Sequence, residues 1–486
     1  MPPSPPPSHA SKAGASEPSK AAPHAPALER RLGPFDAAAI IVSNVIGGGI
    51  LFTPPQVAAS VPHPWAFLSV WLAGGLLAFA GAMAYAELAA LRPRAGGEYV
   101  YLRAAYGRLA AFLTGWTSFI AGFAGAMAAS AVVLVLYLDR FIPGVADQTP
   151  FFTIAVPFVP LSFSRQTLVA TAAVWLFALV HIRGVGPGRL VGNVLAILKV
   201  TSLLVFIAVG FSIGAGSTAN FQQAGGQIAA AGWLFALIPV MFTYSGWNAA
   251  AYMAEEIRDP GRNVPLALGL GTVAVIAIYL LLNALYVYVM PVGELAGVRG
   301  SVLDVIAEKL LGVQAGHIMG VVSIISLAAG INAWTFAGPR VYYAMARDAV
   351  FFPAAARVHT RFRTPVGSIV AQAIWTTLLI LTGSLDKLTT YVGFAITLFA
   401  GIAVAAVFVL RAREPNAPRP FRAWGYPFAP AIFTIASALI VLNALRVDLV
   451  IPILRDEPWG PSAVGFIVIG LGIPIYWLLR RRNRHP

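Results

Sequence analysis

Val45-Ile46-Gly47-Gly48-Gly49-Ile50-Leu51-Phe52-Thr53-Pro54-Pro55 sets three consecutive glycines near the middle of an apolar run over residues 36–59. A run of about 20 apolar residues spans ~30 Å of hydrocarbon as a helix. Each glycine weakens that helix by about 1 kcal/mol relative to alanine, so the run predicts an unwound stretch. Unwound backbone at membrane depth is tolerated where it lines a cavity or is buried in protein. Its freed amides and helix ends then suit an ion or a zwitterion. Close helix packing through small residues is the plainer reading of the same glycines.

The rest of the chain has the same character. It is 58% hydrophobic and 11% charged, with a mean hydropathy of +0.77. A soluble domain carries about a quarter charged residues, so a soluble enzyme is excluded, and so is a disordered chain. Eleven further apolar runs follow, at 66–90, 109–138, 166–183, 191–213, 231–255, 264–290, 316–346, 367–384, 389–411, 428–446 and 462–480. The pattern predicts an all-α, polytopic protein of twelve spans, because backbone in lipid must satisfy its own hydrogen bonds. Two shorter pieces, Gly96 to Tyr106 and Val302 to Leu310, fall between spans; the first is amphipathic and expected along the membrane surface. Residues 1–31 are rich in Pro, Ala and Ser and predict a disordered tail. With no apolar core, this tail is not a signal peptide.

The sixth span is interrupted as well: Pro239-Val-Met-Phe242-Thr243-Tyr244-Ser245-Gly246-Trp247-Asn248 carries a proline and then a Ser-Gly pair among polar and aromatic residues. Two broken helices five spans apart are the pattern of an inverted-repeat transporter, with the ligand at mid-membrane between the breaks.

The net charge of +14 follows from topology. Of the 33 Lys and Arg, 25 fall in the two tails and the even-to-odd loops, 7 on the other side, and Lys199 inside a span. This bias places both termini in the cytoplasm and makes nucleic acid an unneeded partner. Lys199, nine residues into its span, costs ~2.5–3.5 kcal/mol to insert and is therefore a functional candidate. Glu87, and Glu255 with Glu256, are expected to pair with arginines at the inner face and to part when an inner path opens, with Arg340 and Arg347 as partners. No Asp or Glu falls mid-span in the twelve runs, which argues against a cationic substrate. The chain has no cysteine. No nucleophile elbow, P-loop or metal cluster is present, so neither an enzyme nor a cofactor is expected.

At these residues the chain resembles the amino acid–polyamine–organocation superfamily, most nearly the L-type amino-acid transporters and their bacterial relatives. Four stretches carry the likeness: Ile46-Gly47-Gly48-Gly49-Ile50; Tyr85-Ala-Glu87-Leu with Pro93-Arg-Ala-Gly96-Gly97-Glu98-Tyr99; Phe242-Thr-Tyr244-Ser-Gly246-Trp247-Asn248 running on to Glu255-Glu256-Ile-Arg258; and Pro339-Arg340-Val-Tyr-Tyr343-Ala-Met-Ala-Arg347-Asp348. Together they cover residues 36 to about 412.

The resemblance implies a LeuT-like bundle of two inverted five-helix repeats, at 32–213 and 231–412. Helices one and six are discontinuous, and residues 413–486 supply two peripheral helices and a basic cytoplasmic end. It implies a plasma-membrane carrier of amino acids (inner membrane if bacterial) that works by alternating access, with sodium-independent exchange or uptake of neutral amino acids as the expected activity. A proton-coupled symporter, or a carrier of cationic amino acids or polyamines, is the alternative; a channel fits less well.

By the same analogy the amides of Gly47, Gly48 and Gly49, next to Ile46, hold the substrate α-carboxylate, and carbonyls of Val45, Phe242 and Ser245 meet its α-ammonium. Phe242 acts as a lid, and Asn248 is a polar contact. Glu255, Glu256 and Arg340 are gating residues with Phe242. Lys199 stands where sodium-coupled relatives bind an ion, although a lysine that sheds its proton could instead couple transport to protons. Gly48 departs from the serine common in relatives and removes a hydroxyl contact. Some animal relatives carry a disulfide-linked heavy chain, which a chain without cysteine cannot bind covalently.

Overall fold

The computed structural model describes residues 27–156, 160–213, 216–223, 230–383 and 385–482. The expected disordered tail falls mostly on residues 1–26, outside the described residues. Its last part is a correction: Leu28 is buried against Ala95, Tyr343 and Val358, and Glu29 pairs with Arg363 at 3.1 Å. An apolar side chain and a carboxylate there find partners on the body of the protein.

The first apolar run divides into α1 (Pro34–Val45), α2 (Gly48–Phe52) and α3 (Pro54–Ser60). Pro34 opens α1, and the Gly33 amide donates to Asp36 Oδ2 at 2.7 Å, which satisfies one of the amides left over at a helix start. Then come α4 (Pro64–Leu91), α5 (Glu98–Tyr106), α6 (Arg108–Thr117), α7 (Phe123–Leu138), α8 (Arg165–Ile182) and α9 (Val185–Ser212). The sixth run gives α10 (Ala230–Thr243) and α11 (Ala249–Tyr252). The remainder forms α12 (Pro260–Val289), α13 (Val292–Leu295), α14 (Val302–Leu311), α15 (Val313–Arg347), α16 (Val366–Thr382), α17 (Leu385–Arg413), α18 (Phe428–Leu445), α19 (Ile451–Arg455) and α20 (Pro461–Arg482).

Among the described residues, ten helical segments are long and apolar enough to cross a membrane, with α10 and α16 as shorter apolar helices. A small antiparallel hairpin, β1 (Phe152–Ile154) with β2 (Leu161–Phe163), joins α7 to α8. A π-helical turn, Ser118–Gly122, separates α6 from α7 within the third span.

Packing is arranged around α1, which contacts α9, α12 and α15. Helix α4 lies along α12, α7 along α15, and α8 along α16, while α18 and α20 pack on α17. Large apolar side chains such as Leu76, Leu176, Leu190 and Leu439 point outward and remain exposed, which in water would be an aggregating surface and in lipid is a matched one. The Gly96–Tyr106 piece, expected along the membrane surface, buries one face in protein: Glu98, Tyr99, Tyr101, Leu102 and Ala105 are buried, and α5 packs against α6 and α17. Gly96 and Gly97 take positive φ, a conformation open to glycine, and turn α5 into the bundle.

Candidate functional site

Both interrupted helices are broken where the glycines fall. Helix α1 ends at Val45, Ile46 leaves the helical region with ψ 90°, and Gly47 is extended before α2 begins at Gly48. Helix α10 ends at Thr243, and residues 244–248 form turns before α11, with Gly246 at φ +100°. At Gly246 a side chain would be strained by the dihedral and would also meet Asn44 at 3.0 Å.

The two breaks abut. A Cβ on Gly49 would lie 3.0 Å from the Thr243 Cα. The Thr243 hydroxyl donates to Thr53 Oγ1 at 3.0 Å, and Asn44 Nδ2 donates to the Gly246 carbonyl at 3.4 Å. From α12, the Tyr279 hydroxyl reaches the Val45 carbonyl at 2.8 Å and the Thr243 carbonyl at 3.2 Å, one from each broken helix. From α9, the Lys199 Nζ, fully buried, donates to the carbonyls of Ser43 and Ile46. These are among the carbonyls that the end of α1 leaves without helical partners.

A cavity of about 920 Å³ meets the breaks. Val45, Gly47, Gly48, Gly49, Phe242 and Ser245 line it, along with Asn44, Thr53, Thr243 and Trp334. No atom lies within 4 Å of where a Cβ on Gly47 would point, and a Cβ on Gly48 would meet only the Phe52 ring at 3.9 Å, so ligand atoms can approach this backbone closely. The Phe242 ring is 41% exposed and rests against Gly393 of α17. The amides at the start of α2 and the carbonyls ending α1 and α10 present opposite partial charges to this space. Each such interaction is worth about 0.3–1 kcal/mol, and up to ~2 when partly buried.

Two of the expected residues lie elsewhere. Ile46 is buried and presents its carbonyl to Lys199. Asn248 lines a smaller neighbouring cavity, where its Nδ2 donates to Glu98 Oε1 at 2.8 Å. Asn44 was missed by sequence reasoning. Its Oδ1 is buried and has no hydrogen-bond partner among the described residues, although the residue lines the large cavity. A Ser-Asn pair just ahead of mid-span glycines was the available signal.

Ion pairs cross the arginine-rich end of the bundle. Arg340 Nε and Nη2 donate to the two oxygens of Glu256 at 2.7 and 2.9 Å, with both side chains almost wholly buried. Glu255 takes the Ala95 amide at 3.0 Å and faces Arg347 at 3.5 Å. Glu87 pairs with Arg411 at 2.7 Å and Arg419 at 3.3 Å. These last partners, from α17 and the segment after it, were outside the expected set. The large cavity runs the other way, to Asn443 in the last turn of α18 and to Val447 and Asp448 beyond it.

Comparison with known proteins identifies relatives along most of the chain. The chain is 29% identical over 465 residues to the large neutral amino acids transporter small subunit 2 of Mus musculus, covering 93% of this chain and 81% of that protein. It is 29% identical over 457 residues to the b(0,+)-type amino acid transporter 1 of Homo sapiens, covering 92% and 88%. With the cystine/glutamate transporter of Homo sapiens it shares 27% over 463 residues, covering 94% and 87%. The amino acid permease family profile matches residues 32–471, and the chain, a multi-pass membrane protein, belongs to that family.

Proposed function

We propose that this permease is a sodium-independent secondary carrier of neutral amino acids, working by exchange or uptake through alternating access. The observation that carries the proposal is the pair of abutting helix breaks opening on one cavity. A zwitterion needs an anion site and a cation site a few ångströms apart in a place that excludes water, and two interrupted helices side by side supply both.

In this reading the amides of Gly47, Gly48 and Gly49 hold the α-carboxylate. The carbonyls of Val45, Phe242 and Ser245, with Asn44 Oδ1, receive the α-ammonium. Phe242 closes over the bound substrate. Lys199 supplies a fixed positive charge to the carbonyls ending α1, so no sodium ion is needed there.

The twelve-span, inverted-repeat architecture belongs to the same proposal. It is supported by the packing of helices five spans apart, α4 on α12, α7 on α15 and α8 on α16, as an internal two-fold would arrange them. With the arginine-rich end in the cytoplasm, both termini are cytoplasmic, the protein sits in the plasma membrane, and the cavity faces outward. The Arg340–Glu256 pair then belongs to the closed inner gate. Without cysteine, the carrier needs no disulfide-linked partner.

The test is uptake of labelled neutral amino acids into proteoliposomes, with and without sodium and with and without internal substrate. Acceleration by internal substrate, unchanged when choline replaces sodium, is the expected result. Uptake that ignores internal substrate indicates a channel and overturns the proposal.

A further inference from the structure

Glu98 is a carboxylic acid inside the bundle that the proposed transport cycle leaves unused. It is 6% exposed, and among the described residues it forms no ion pair. Its Oε1 accepts from the Tyr85 hydroxyl of α4 at 2.7 Å and from Asn248 Nδ2, beside the α10–α11 break, at 2.8 Å. Its Oε2 accepts from the Thr114 hydroxyl of α6, at 3.5 Å.

The groups around it are neutral. Tyr252 of α11 and Tyr101 of α5 are the other titratable neighbours. Trp334 of α15 and Ala395, Ile396 and Phe399 of α17 complete the wall. Burial pushes this carboxyl up from the usual carboxylate range, and the hydrogen bonds from Tyr85, Tyr252, Asn248 and Thr114 pull the other way.

Glu98 also faces space. It lines a cavity of about 40 Å³ with Thr117 of α6 and with Ser118 and Gly122 of the π turn, and π turns within helices cluster at functional sites. That volume admits about three waters, each needing roughly 10–15 Å³ of this kind of space. The cavity shares Trp334 and Ile396 with the large one at the helix breaks, so a thin wall separates Glu98 from the candidate substrate site.

We propose that Glu98 is the proton-binding site of this carrier and that a proton travels with the amino acid during net uptake. The inference rests on the amino-acid carrier proposed above. A proton arriving as hydronium in the small cavity passes to Oε2, the oxygen with the weaker hydrogen bonding: its O–H bond to that water breaks, neutral water is left, and an O–H bond forms to the carboxylate. Oε2 then becomes a donor, and the Thr114 hydroxyl reverses to accept from it. Oε1 loses negative charge and holds Asn248 less firmly, which links protonation to the segment joining the two halves of helix six. A zwitterion carried with one proton moves one positive charge inward.

The experiment uses the full chain in proteoliposomes. For the best-carried of a labelled panel of neutral amino acids, uptake is compared with and without an inside-alkaline pH gradient, alongside counterflow at equal pH. The wild type is expected to gain severalfold from the gradient. In Glu98→Gln the ratio of uptake with the gradient to uptake without it falls to about one, while Glu98→Asp keeps a ratio above one with a displaced pH midpoint. A wild-type ratio of one alongside active counterflow overturns the proton site and leaves the amino-acid carrier standing; absent counterflow for the whole panel removes the carrier reading itself. A Glu98→Gln protein with the full wild-type ratio overturns the inference. If Glu98→Gln carries nothing, the decision passes to Glu98→Asp, and an unmoved midpoint there overturns it too.

Discussion

Lys199 Nζ donates to the carbonyl of Ile46, the residue just past the end of α1, and to that of Ser43 three residues earlier. A buried ammonium and the carbonyls of a broken helix thereby solve each other's problem. The carbonyls lack amide partners, and the ammonium lacks water. In the proposed cycle this covalently fixed charge makes this corner of the site independent of ion concentration.

Lys199→Ala is therefore expected to lower uptake about tenfold or more, since hydrogen bonds from charged groups contribute roughly 1.5–3 kcal/mol each. Wild-type uptake should be the same in sodium and in choline. Initial rates in proteoliposomes measure both, and a fully active alanine variant would separate Lys199 from the site.

Neighbouring glycines should respond differently. A methyl on Gly48 meets only the Phe52 ring at 3.9 Å, whereas one on Gly49 meets the Thr243 backbone at 3.0 Å. Gly48→Ala should fold and chiefly change the substrate KM. Gly49→Ala should lose folded protein, because overpacking of this kind costs about 1–3 kcal/mol. Size-exclusion profiles in detergent, read with uptake, check the contrast; equal behaviour of the two variants contradicts the geometry.

How much of this was legible beforehand follows from the physics of each signal. Apolar runs and the Gly47-Gly48-Gly49 and Ser245-Gly246 interruptions are local, so the spans and their breaks could be read from neighbouring residues. The charge of Glu256 could be matched to Arg340 because each needs a partner if buried. Glu98 was harder. Its segment is amphipathic and carries Arg103, which suggests a membrane surface, and only tertiary packing against α6 and α17 turns the glutamate inward. Glu87 likewise draws Arg411 from more than 300 residues away, a pairing that no local pattern encodes.

Tyr279 ties the two broken helices through one hydroxyl. With a single proton it donates to Val45 or to Thr243, the latter contact being the longer. Tyr279→Phe keeps the ring packing against Trp71 and Tyr244 and removes only this link. A neutral hydrogen bond contributes about 1 kcal/mol, or roughly fivefold in an equilibrium. A KM change of that order, with an unaltered melting profile, is the expected result; a substrate affinity equal to wild type would show that the hydroxyl does not set the spacing of the breaks.

The Arg340–Glu256 pair is the strongest closure at the arginine-rich end, because its two-pronged geometry is complete and both side chains exclude water. Removing one partner leaves the other charged and buried, a loss of about 3–5 kcal/mol. Glu256→Gln should therefore lower the melting midpoint in detergent and loosen this end. Arg340→Lys should be nearly as damaging, since an ammonium cannot reproduce the planar fork of the guanidinium. The absence of native cysteine gives a direct readout: a cysteine placed at Ala344, buried beside Gly96 at this end, should react slowly with a maleimide in the otherwise wild-type protein and faster once Glu256 is changed. If the pair merely props up the fold, melting falls in both variants while the labelling rate of the folded fraction stays fixed. If it holds an inner gate shut, labelling rises in the folded fraction, and substrate that stabilises the closed form slows it again.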